Sequence, residues 1–509
     1  MNSRLQSTLI FLAILIFPLL SYLSINISEP GFSSTAYLID ALSLIILAVT
    51  AFGAGSYLLA KLFRLRVAAI MLAAAVMFAM LFTYEEFESF FSRRTSIWIY
   101  FPTFFGGIAL VGVAVYLIST RRELLNLLGI FATTVIIIPI INISLQFIGN
   151  GPQTAPVDDS ALSGSIQTVK LANSERPNLY FIIPDAYGGD LALDRFVSIR
   201  NSDFYDALEA RGFFVADDSR SPYNMTYLSI AAILRLDYPV VETSLPYRLS
   251  RQDFYPRMMN HPIAPAAVRK FQSIGYEFNL FGNNWGRCNA KHVICPVQGE
   301  RPLYSYELSG LLRATPFKAV ARKLLRESPT EAIKNLTLHL RDKGLSNSPS
   351  VFFAHNLAPH PPYYLESDCS VRDDYEEDLV VWSDRAKPLY EANLRCVNKQ
   401  LLTLIDLIDE MDPGAMVIIA ADHGTAFAGS QVAEERAAVL TAARLPERCD
   451  DSLTPDINAV NLMRISLSCA ASEPPTLVEN LTYFGTYETE GPTAGKVRLV
   501  PVLSPKSSE

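Results

Sequence analysis

The sequence of 509 residues predicts two parts: an all-α membrane domain of five spans, then an α/β domain whose sheet is flanked by helices. Three observations carry this. Long apolar stretches are confined to residues 1–148. Beyond them, short apolar runs alternate with amphipathic helical stretches. Three of those runs end abruptly in Asp, His or Gly.

The five apolar stretches cover roughly 8–27, 37–60, 67–83, 98–118 and 124–148, the third being short and alanine-rich. No small-x-small cleavage site closes the first, which reads as a retained span rather than a signal peptide. With five spans, Arg4, the cluster Lys61, Arg64 and Arg66, and the pair Arg121 and Arg122 fall on one side. Glu29, Glu85, Glu86, Glu88, Arg93 and Arg94 fall on the other. The more basic side is expected in the cytoplasm, which places everything after about residue 150 outside.

All six cysteines (Cys288, Cys295, Cys369, Cys396, Cys449 and Cys469) follow the apolar region. An even set confined to an exported domain suggests disulfides, and neighbours in sequence form the natural pairs. No CxxC pair supports a cysteine zinc site. The net charge of −8 argues against nucleic acid as a partner. Residues 149–176, polar with Gly, Pro and Ser, read as a linker, and 491–509 as an irregular tail. The soluble domain is then 177–490.

Its strand candidates are 179–183, 213–215, 278–281, 351–354, 416–420 and 438–440. Helix candidates include 203–211, 226–235, 264–273, 385–411 and 455–467. In 385–411 the apolar series Leu389, Leu394, Val397, Leu401, Leu404, Ile405 and Ile408 marks a helix packed on a sheet.

The first strand candidate ends at Asp185, in NLYFIIPDAYGG, with Gly188 and Gly189 behind it. The fourth leads to His355 and His360, in VFFAHNLAPHPPYY. The fifth ends at Asp422, His423 and Gly424, in MVIIAADHGTAF. In open α/β sheets, ligands bind beyond the carboxyl ends of strands. An acid beside an imidazole supplies two ligand types to one cation, although alone it reads as a turn acid beside a surface His. Thr226 opens an apolar helix in SPYNMTYLSIAAIL and has two readings. One is an N-cap. The other is a nucleophile, because free amides and a positive dipole end suit attack on a phosphate ester and a dication activates the hydroxyl. His355, following VFFA, reads as a core histidine satisfied by backbone. Asn283, Asn284 and Trp285 read as ordinary loop, and the acidic run 373–378 as a solvated one.

The ordered set resembles the alkaline phosphatase superfamily, especially its sulfatase-like membrane phosphotransferases, the lipoteichoic acid synthases and phosphoethanolamine transferases. The resemblance covers roughly 177–470 together with the membrane layout. It implies an alkaline-phosphatase-like mixed sheet. It implies one divalent metal ion, Zn²⁺ or Mn²⁺, held by Asp185, Thr226, Asp422 and His423. It also implies that His360 binds the phosphoryl or leaving group. Departures narrow the reading. The transferases usually carry Glu where Asp185 stands, while phosphodiesterases and sulfatases of the superfamily carry Asp. Sulfatases need C/S-x-P-x-R, whereas Thr226-Tyr-Leu-Ser-Ile has neither the Pro nor the Arg, and Ala186 replaces a second acid.

The expectation is therefore an inner-membrane protein whose catalytic domain faces the periplasm or cell exterior. It would move a phospholipid headgroup phosphate, of phosphoethanolamine or phosphoglycerol type, onto an envelope glycan through a phospho-threonine. Two alternatives stand beside it: a metal-dependent phosphodiesterase or sulfatase-like hydrolase, and a non-catalytic envelope protein that binds glycan or a partner.

Overall fold

The computed structural model describes residues 3–26, 34–91, 96–149, 176–239, 255, 257–260, 263–282, 292–296, 311–312, 314–317, 331–372, 381–429, 432–487 and 497–502. They fall into two units, one formed by Met1–Gln153 with Glu300–Ser328, the other by the remainder. The expected linker at 149–176 lies almost wholly outside the described residues, as do Asn283, Asn284, Trp285 and the acidic run 373–378.

The first unit is helical: α1 (Ser3–Asn26), α2 (Ser34–Phe63), α3 (Val67–Leu81), α4 (Tyr84–Phe91), α5 (Ile97–Ser119) and α6 (Arg122–Gly149). Four of these, not five, are long and apolar enough to cross a membrane: α1, α2, α5 and α6. The expected third span is the 15-residue α3. At about 1.5 Å of rise per residue it falls well short of a hydrocarbon core of about 30 Å. These apolar helices suggest membrane anchoring.

Helices α1 and α6 run side by side in the same direction. Gln6 Nε2 donates to Asn126 Oδ1 at 2.7 Å, and Ile10 packs at Gly129 one turn further along. The ends of α1 and α2 are tied as well, since Tyr37 donates to the Leu19 carbonyl at 2.7 Å. At the other end, an Arg66 nitrogen donates to the Thr120 carbonyl at 3.1 Å, joining two of the basic turns. Residue 149 therefore leaves the bundle at the end opposite residue 3. Leu311 is buried in this unit among Leu19, Leu23, Tyr37 and Ala41. The span 177–490 is thus interrupted by a segment that belongs with the helices.

The second unit holds a six-stranded mixed sheet, ordered β2–β6–β5–β1–β4–β3. Its strands are β1 (Leu179–Pro184), β2 (Phe214–Val215), β3 (Glu277–Phe281), β4 (Ser350–Asn356), β5 (Met416–Ala420) and β6 (Thr441–Arg444). β1 pairs in parallel with both β4 and β5, β3 pairs in parallel with β4, and β6 is antiparallel to β5 and to β2. The central strands are apolar on both faces because both faces are covered. Leu179, Phe181 and Ile183 join the layer of α8 (Thr226–Arg235), α9 (Ala266–Ser273) and α13 (Ala459–Ala471). Tyr180 and Ile182 join the opposite layer, which holds α7 (Ser202–Glu209), α10 (Ala332–Lys343) and α11 (Lys387–Met411). The short α12 (Ala433–Ala437) follows β5. In α11, Leu394, Val397, Leu401, Leu404, Ile405 and Ile408 are buried. Stacked rings of Tyr180 on Phe352 and Phe181 on Phe353 lock the β1–β4 register on the two faces.

Two expectations shift. Residues 438–440 make isolated bridges, from Ala438 to Arg220 and from Val439 to Gly188, and the strand itself begins at Thr441. Part of the expected irregular tail is ordered, because β8 (Val497–Pro501) pairs antiparallel with β7 (Tyr483–Tyr487). Leu499 is buried and Val500 exposed, a pattern too short to read against the Gly-Pro context before it. Cys369 is bonded to Cys396 and Cys449 to Cys469. Cys295 is also disulfide-bonded. Its expected partner, Cys288, lies outside the described residues.

The parallel course of α1 and α6 predicts that the two ends of the bundle face opposite sides of a membrane. A periplasm-active reporter fused at the N-terminus and, separately, after residue 170 should signal at one junction only. Signal at both would overturn the arrangement.

Candidate metal centre

Because β5, β1 and β4 are adjacent and parallel, their carboxyl ends deliver side chains to one place. Asp185 follows β1, and Asp422 and His423 follow β5. His355 lies within β4, and His360 follows in a loop whose amide donates to the Asp185 carbonyl at 3.0 Å. Thr226 opens α8. All five residues singled out from the sequence meet here, and His355 joins them.

Asp185, Asp422, His423 and His355 are buried, while His360 and Thr226 are partly exposed. His355 Nε2 stands 3.3 Å from Asp185 Oδ2, and His423 Nε2 stands 3.4 Å from Asp185 Oδ1. The same nitrogen is 3.6 Å from Asp422 Oδ2 and 3.1 Å from Thr226 Oγ1. The His360 and His423 rings are 5.9 Å apart. Two overlapping ligand sets result, Asp185 with His360 and His423, and Asp185 with His355 and Asp422. Within each, one donor atom per residue lies within 4.8 Å of the others.

The tautomer of His423 follows from its neighbour. Nδ1 lies 2.9 Å from the Gly424 carbonyl, which only accepts, so the proton sits on Nδ1 and the Nε2 lone pair faces the acids. Burial, with help from the Arg436 charge, holds this imidazole well below the usual histidine range and therefore neutral. Burial also works to raise Asp185, but the His360 and His355 imidazoles outweigh it and hold that carboxyl below the usual range. Asp422 is pushed well above the usual range, first by burial and then by the Asp185 charge. Asp185 Oδ1 and Asp422 Oδ2 are buried and accept no hydrogen bond among the described residues. Two such oxygens beside an unprotonated imidazole fit a divalent cation, and the mixed oxygen and nitrogen donors suit Zn²⁺ or Mn²⁺.

Two single-residue readings need correction. Thr226 is not an N-cap: Met225 holds that position without a side-chain bond, and Thr226 is the first helical residue. The entry into α8 is secured by Ser229, whose hydroxyl accepts from the Tyr223 amide and donates to the Tyr223 carbonyl. This leaves the Thr226 hydroxyl to His423. His355 is buried as expected of a core residue, but its partner is the Asp185 carboxylate rather than backbone alone.

Three further residues support the centre. Ala186, immediately after Asp185, adopts φ +57, which turns its amide onto Asp422 Oδ1 at 3.1 Å. Such a conformation in a non-glycine residue costs about 1–3 kcal/mol and is held by its surroundings, here the Tyr390 hydroxyl on the Ala186 carbonyl. Glu435, fully buried, accepts from the Thr425 hydroxyl and from the Phe427 and Ala428 amides, at 2.6, 2.7 and 2.8 Å. Arg436 donates to the Gly424 carbonyl at 2.8 Å and to the Asn224 carbonyl at 3.0 Å, and lies 3.3 Å from His423 Nε2. The run Ala433–Ala437 carries charges with no chemical motif, so its pattern alone reads as a solvated turn of helix. Of the other histidines, His339 packs on Phe281 and belongs to neither ligand set.

No family model and no curated protein matches this sequence. Similar solved structures include BT33494S-sulf, from a study of glycosaminoglycan metabolism by Bacteroides thetaiotaomicron. It is 15% identical, over 64% of this chain and 84% of that one, with a TM-score of 0.41. The C-terminal periplasmic domain of EcEptC from Escherichia coli is 11% identical, over 64% and 92%, with a TM-score of 0.39. The same domain in complex with Zn is 12% identical, over 60% and 89%, with a TM-score of 0.38. The likeness is one of fold.

Gly424 is required by close approach. A Cβ there would overlap the Glu435 carbonyl oxygen and come within 2.7 Å of the Ala438 oxygen, both rigid backbone. Gly424→Ala should therefore destabilise the domain by about 1–3 kcal/mol, read as a lowered melting temperature. An unchanged melting temperature would contradict this packing.

Proposed function

We propose that this chain is a membrane-anchored, metal-dependent enzyme that transfers a phospholipid headgroup phosphate to an envelope glycan through a phospho-threonine at Thr226. The observation that carries the reading is the Thr226 hydroxyl, 3.1 Å from a neutral imidazole and beside two buried carboxylate oxygens without hydrogen bonds. A hydroxyl needs activation to attack phosphorus. Asp185, Thr226, Asp422 and His423 would hold the cation, with His355 and His360 in reach. When bound, a divalent ion lowers the pKa of an adjacent hydroxyl and polarises phosphoryl oxygens.

The remaining steps belong to the chain's own groups. Thr226 Oγ1, its proton given up to solvent, attacks phosphorus and the bond from phosphorus to the diacylglycerol oxygen breaks. That oxygen takes its proton from His360, which stands at the partly exposed edge of the centre. The acceptor hydroxyl then attacks the phospho-threonine and gives its proton to His360, and Thr226 Oγ1 leaves and recovers a proton from solvent. The positive end of α8 favours the anionic group at Thr226. Four candidate spans support a lipid donor, because anchoring concentrates the centre at a membrane surface. The disulfides Cys369–Cys396 and Cys449–Cys469 support a periplasmic or extracytoplasmic site.

A second reading is hydrolysis with water as acceptor, favoured by Asp185 where the resembled transferases carry Glu. Product analysis with and without glycan separates the two. A non-catalytic glycan-binding role is disfavoured by the complete buried ligand set.

Thr226→Ala should abolish turnover while leaving the melting temperature nearly unchanged, since Thr226 caps nothing. Intact-mass analysis should find a phosphoryl-containing adduct that this variant loses. Wild-type turnover by Thr226→Ala would refute the assignment. His423→Ala should lower metal content as well as rate. His360→Ala should retain metal and slow transfer by about 10²–10⁴-fold. Loss of metal in His360→Ala would instead make His360 a ligand.

A further inference from the structure

Arg436 is the one cation that reaches the centre among the described residues, and its position raises a question of valence. The guanidinium carries five N–H donors in a fixed fork. Two contacts are structural: one nitrogen donates to the Gly424 carbonyl at 2.8 Å, and the other to the Asn224 carbonyl at 3.0 Å. Gly424 follows His423, and Asn224 lies two residues before Thr226, so the fork bridges the imidazole loop and the nucleophile loop. The nitrogen bound to Asn224 also points its second hydrogen at His423 Nε2, 3.3 Å away.

His423 Nε2 has a single lone pair, because its Nδ1 proton is committed to the Gly424 carbonyl. That lone pair has two claimants in the structure, the Thr226 hydroxyl at 3.1 Å and the Arg436 N–H at 3.3 Å. His423 is also in the ligand set with Asp185 and His360, and with Nδ1 committed, Nε2 is the nitrogen left to serve there. Once His423 serves as a ligand, the Arg436 N–H loses its acceptor, whereas the Thr226 hydroxyl keeps Asp422 within hydrogen-bond reach. The Thr226 hydroxyl becomes the nucleophile under the reading above. The Arg436 N–H is left aimed at the same space, within the reach of an oxygen attached to the phosphorus that Thr226 attacks. The Trp382 ring faces the guanidinium, its centroid 6.0 Å from the guanidinium carbon.

We propose that Arg436 is a specificity-determining residue that binds a negatively charged non-bridging oxygen of the transferred group, and that it is released for this when His423 becomes a ligand. The inference rests on the metal-dependent phosphoryl reading. It commits the centre to esters whose reacting group carries an anionic oxygen, and against neutral carboxylic esters. A guanidinium hydrogen-bonded to an anionic oxygen makes a charge-assisted bond, which a lysine matches only as a point charge.

The test measures two affinities on the full-length chain in detergent: Zn²⁺ by chelator competition, and inorganic phosphate by calorimetry on the Zn²⁺-loaded protein. Arg436→Met should bind Zn²⁺ at least as tightly as wild type, since a competitor for His423 is gone, yet bind phosphate at least tenfold more weakly. Arg436→Lys should keep Zn²⁺ affinity and recover part of the phosphate affinity, and it serves alone if the methionine variant melts early. Unchanged phosphate affinity in both variants would overturn the proposal. Parallel loss of Zn²⁺ and phosphate in a folded variant would overturn it too, and would make Arg436 a brace between two loops. Wild type that binds no Zn²⁺ would sink the metal reading itself, a failure visible before either variant is made.

Discussion

Two carboxylates buried side by side set the terms for the rest of the soluble unit. Asp185 and Asp422 leave water at the ends of neighbouring parallel strands, where desolvation and mutual repulsion both oppose ionisation. The surroundings answer this unequally. The His360 and His355 imidazoles keep Asp185 ionised, whereas Asp422 is pushed toward its neutral form despite the Ala186 amide and the Arg436 charge. An arrangement that leaves one buried acid under-compensated and two oxygens without hydrogen bonds is one that a dication completes.

The backbone around the acids is shaped to hold them there. Ala186 adopts a left-handed conformation so that its amide meets Asp422, and Tyr390, reaching from α11, accepts the consequence by donating to the Ala186 carbonyl. Gly424 lets the chain after His423 press against the carbonyls of α12 and Ala438. Glu435 then gathers two amides and a hydroxyl from the loop 425–428, so a buried charge is met by three donors. These contacts hold the loops that carry the site residues, and a ligand set or nucleophile requires placement within about 0.5 Å.

The helical unit obeys a different constraint. Its helices are apolar and largely uncovered, with Leu110, Ile130 and Leu127 among the exposed residues. Such surfaces are stable where the solvent is hydrocarbon, and helices satisfy their backbone bonds internally there. The parallel course of α1 and α6, with Arg66 tied to Thr120, requires the chain to return to the opposite end before α5, and α3 with α4 makes that return. Leu311, returning to this unit from between β3 and α10, shows that the boundary between the parts is crossed more than once.

The sequence by itself determined the two-part plan, the strands β1, β3, β4 and β5, the long amphipathic α11, and the place of Asp185, Asp422, His423, Thr226 and His360 at element ends. These were legible because a strand buried on both faces is a continuous apolar run and its end is marked by the first polar residue. Only the tertiary structure decided what those residues meet. His355 looks like any core histidine until β4 is laid beside β1 and its ring faces Asp185. Thr226 fits an N-cap until the helix start is placed one residue earlier and its hydroxyl turns to His423. Arg436, in a short charged helix, carries no local sign that it bridges loops separated in the chain from Asn224 to Gly424. Periodicity records which side of an element is buried, because burial repeats along the element; which atoms face each other across the ends of three strands depends on contacts between distant segments, and no local pattern encodes those.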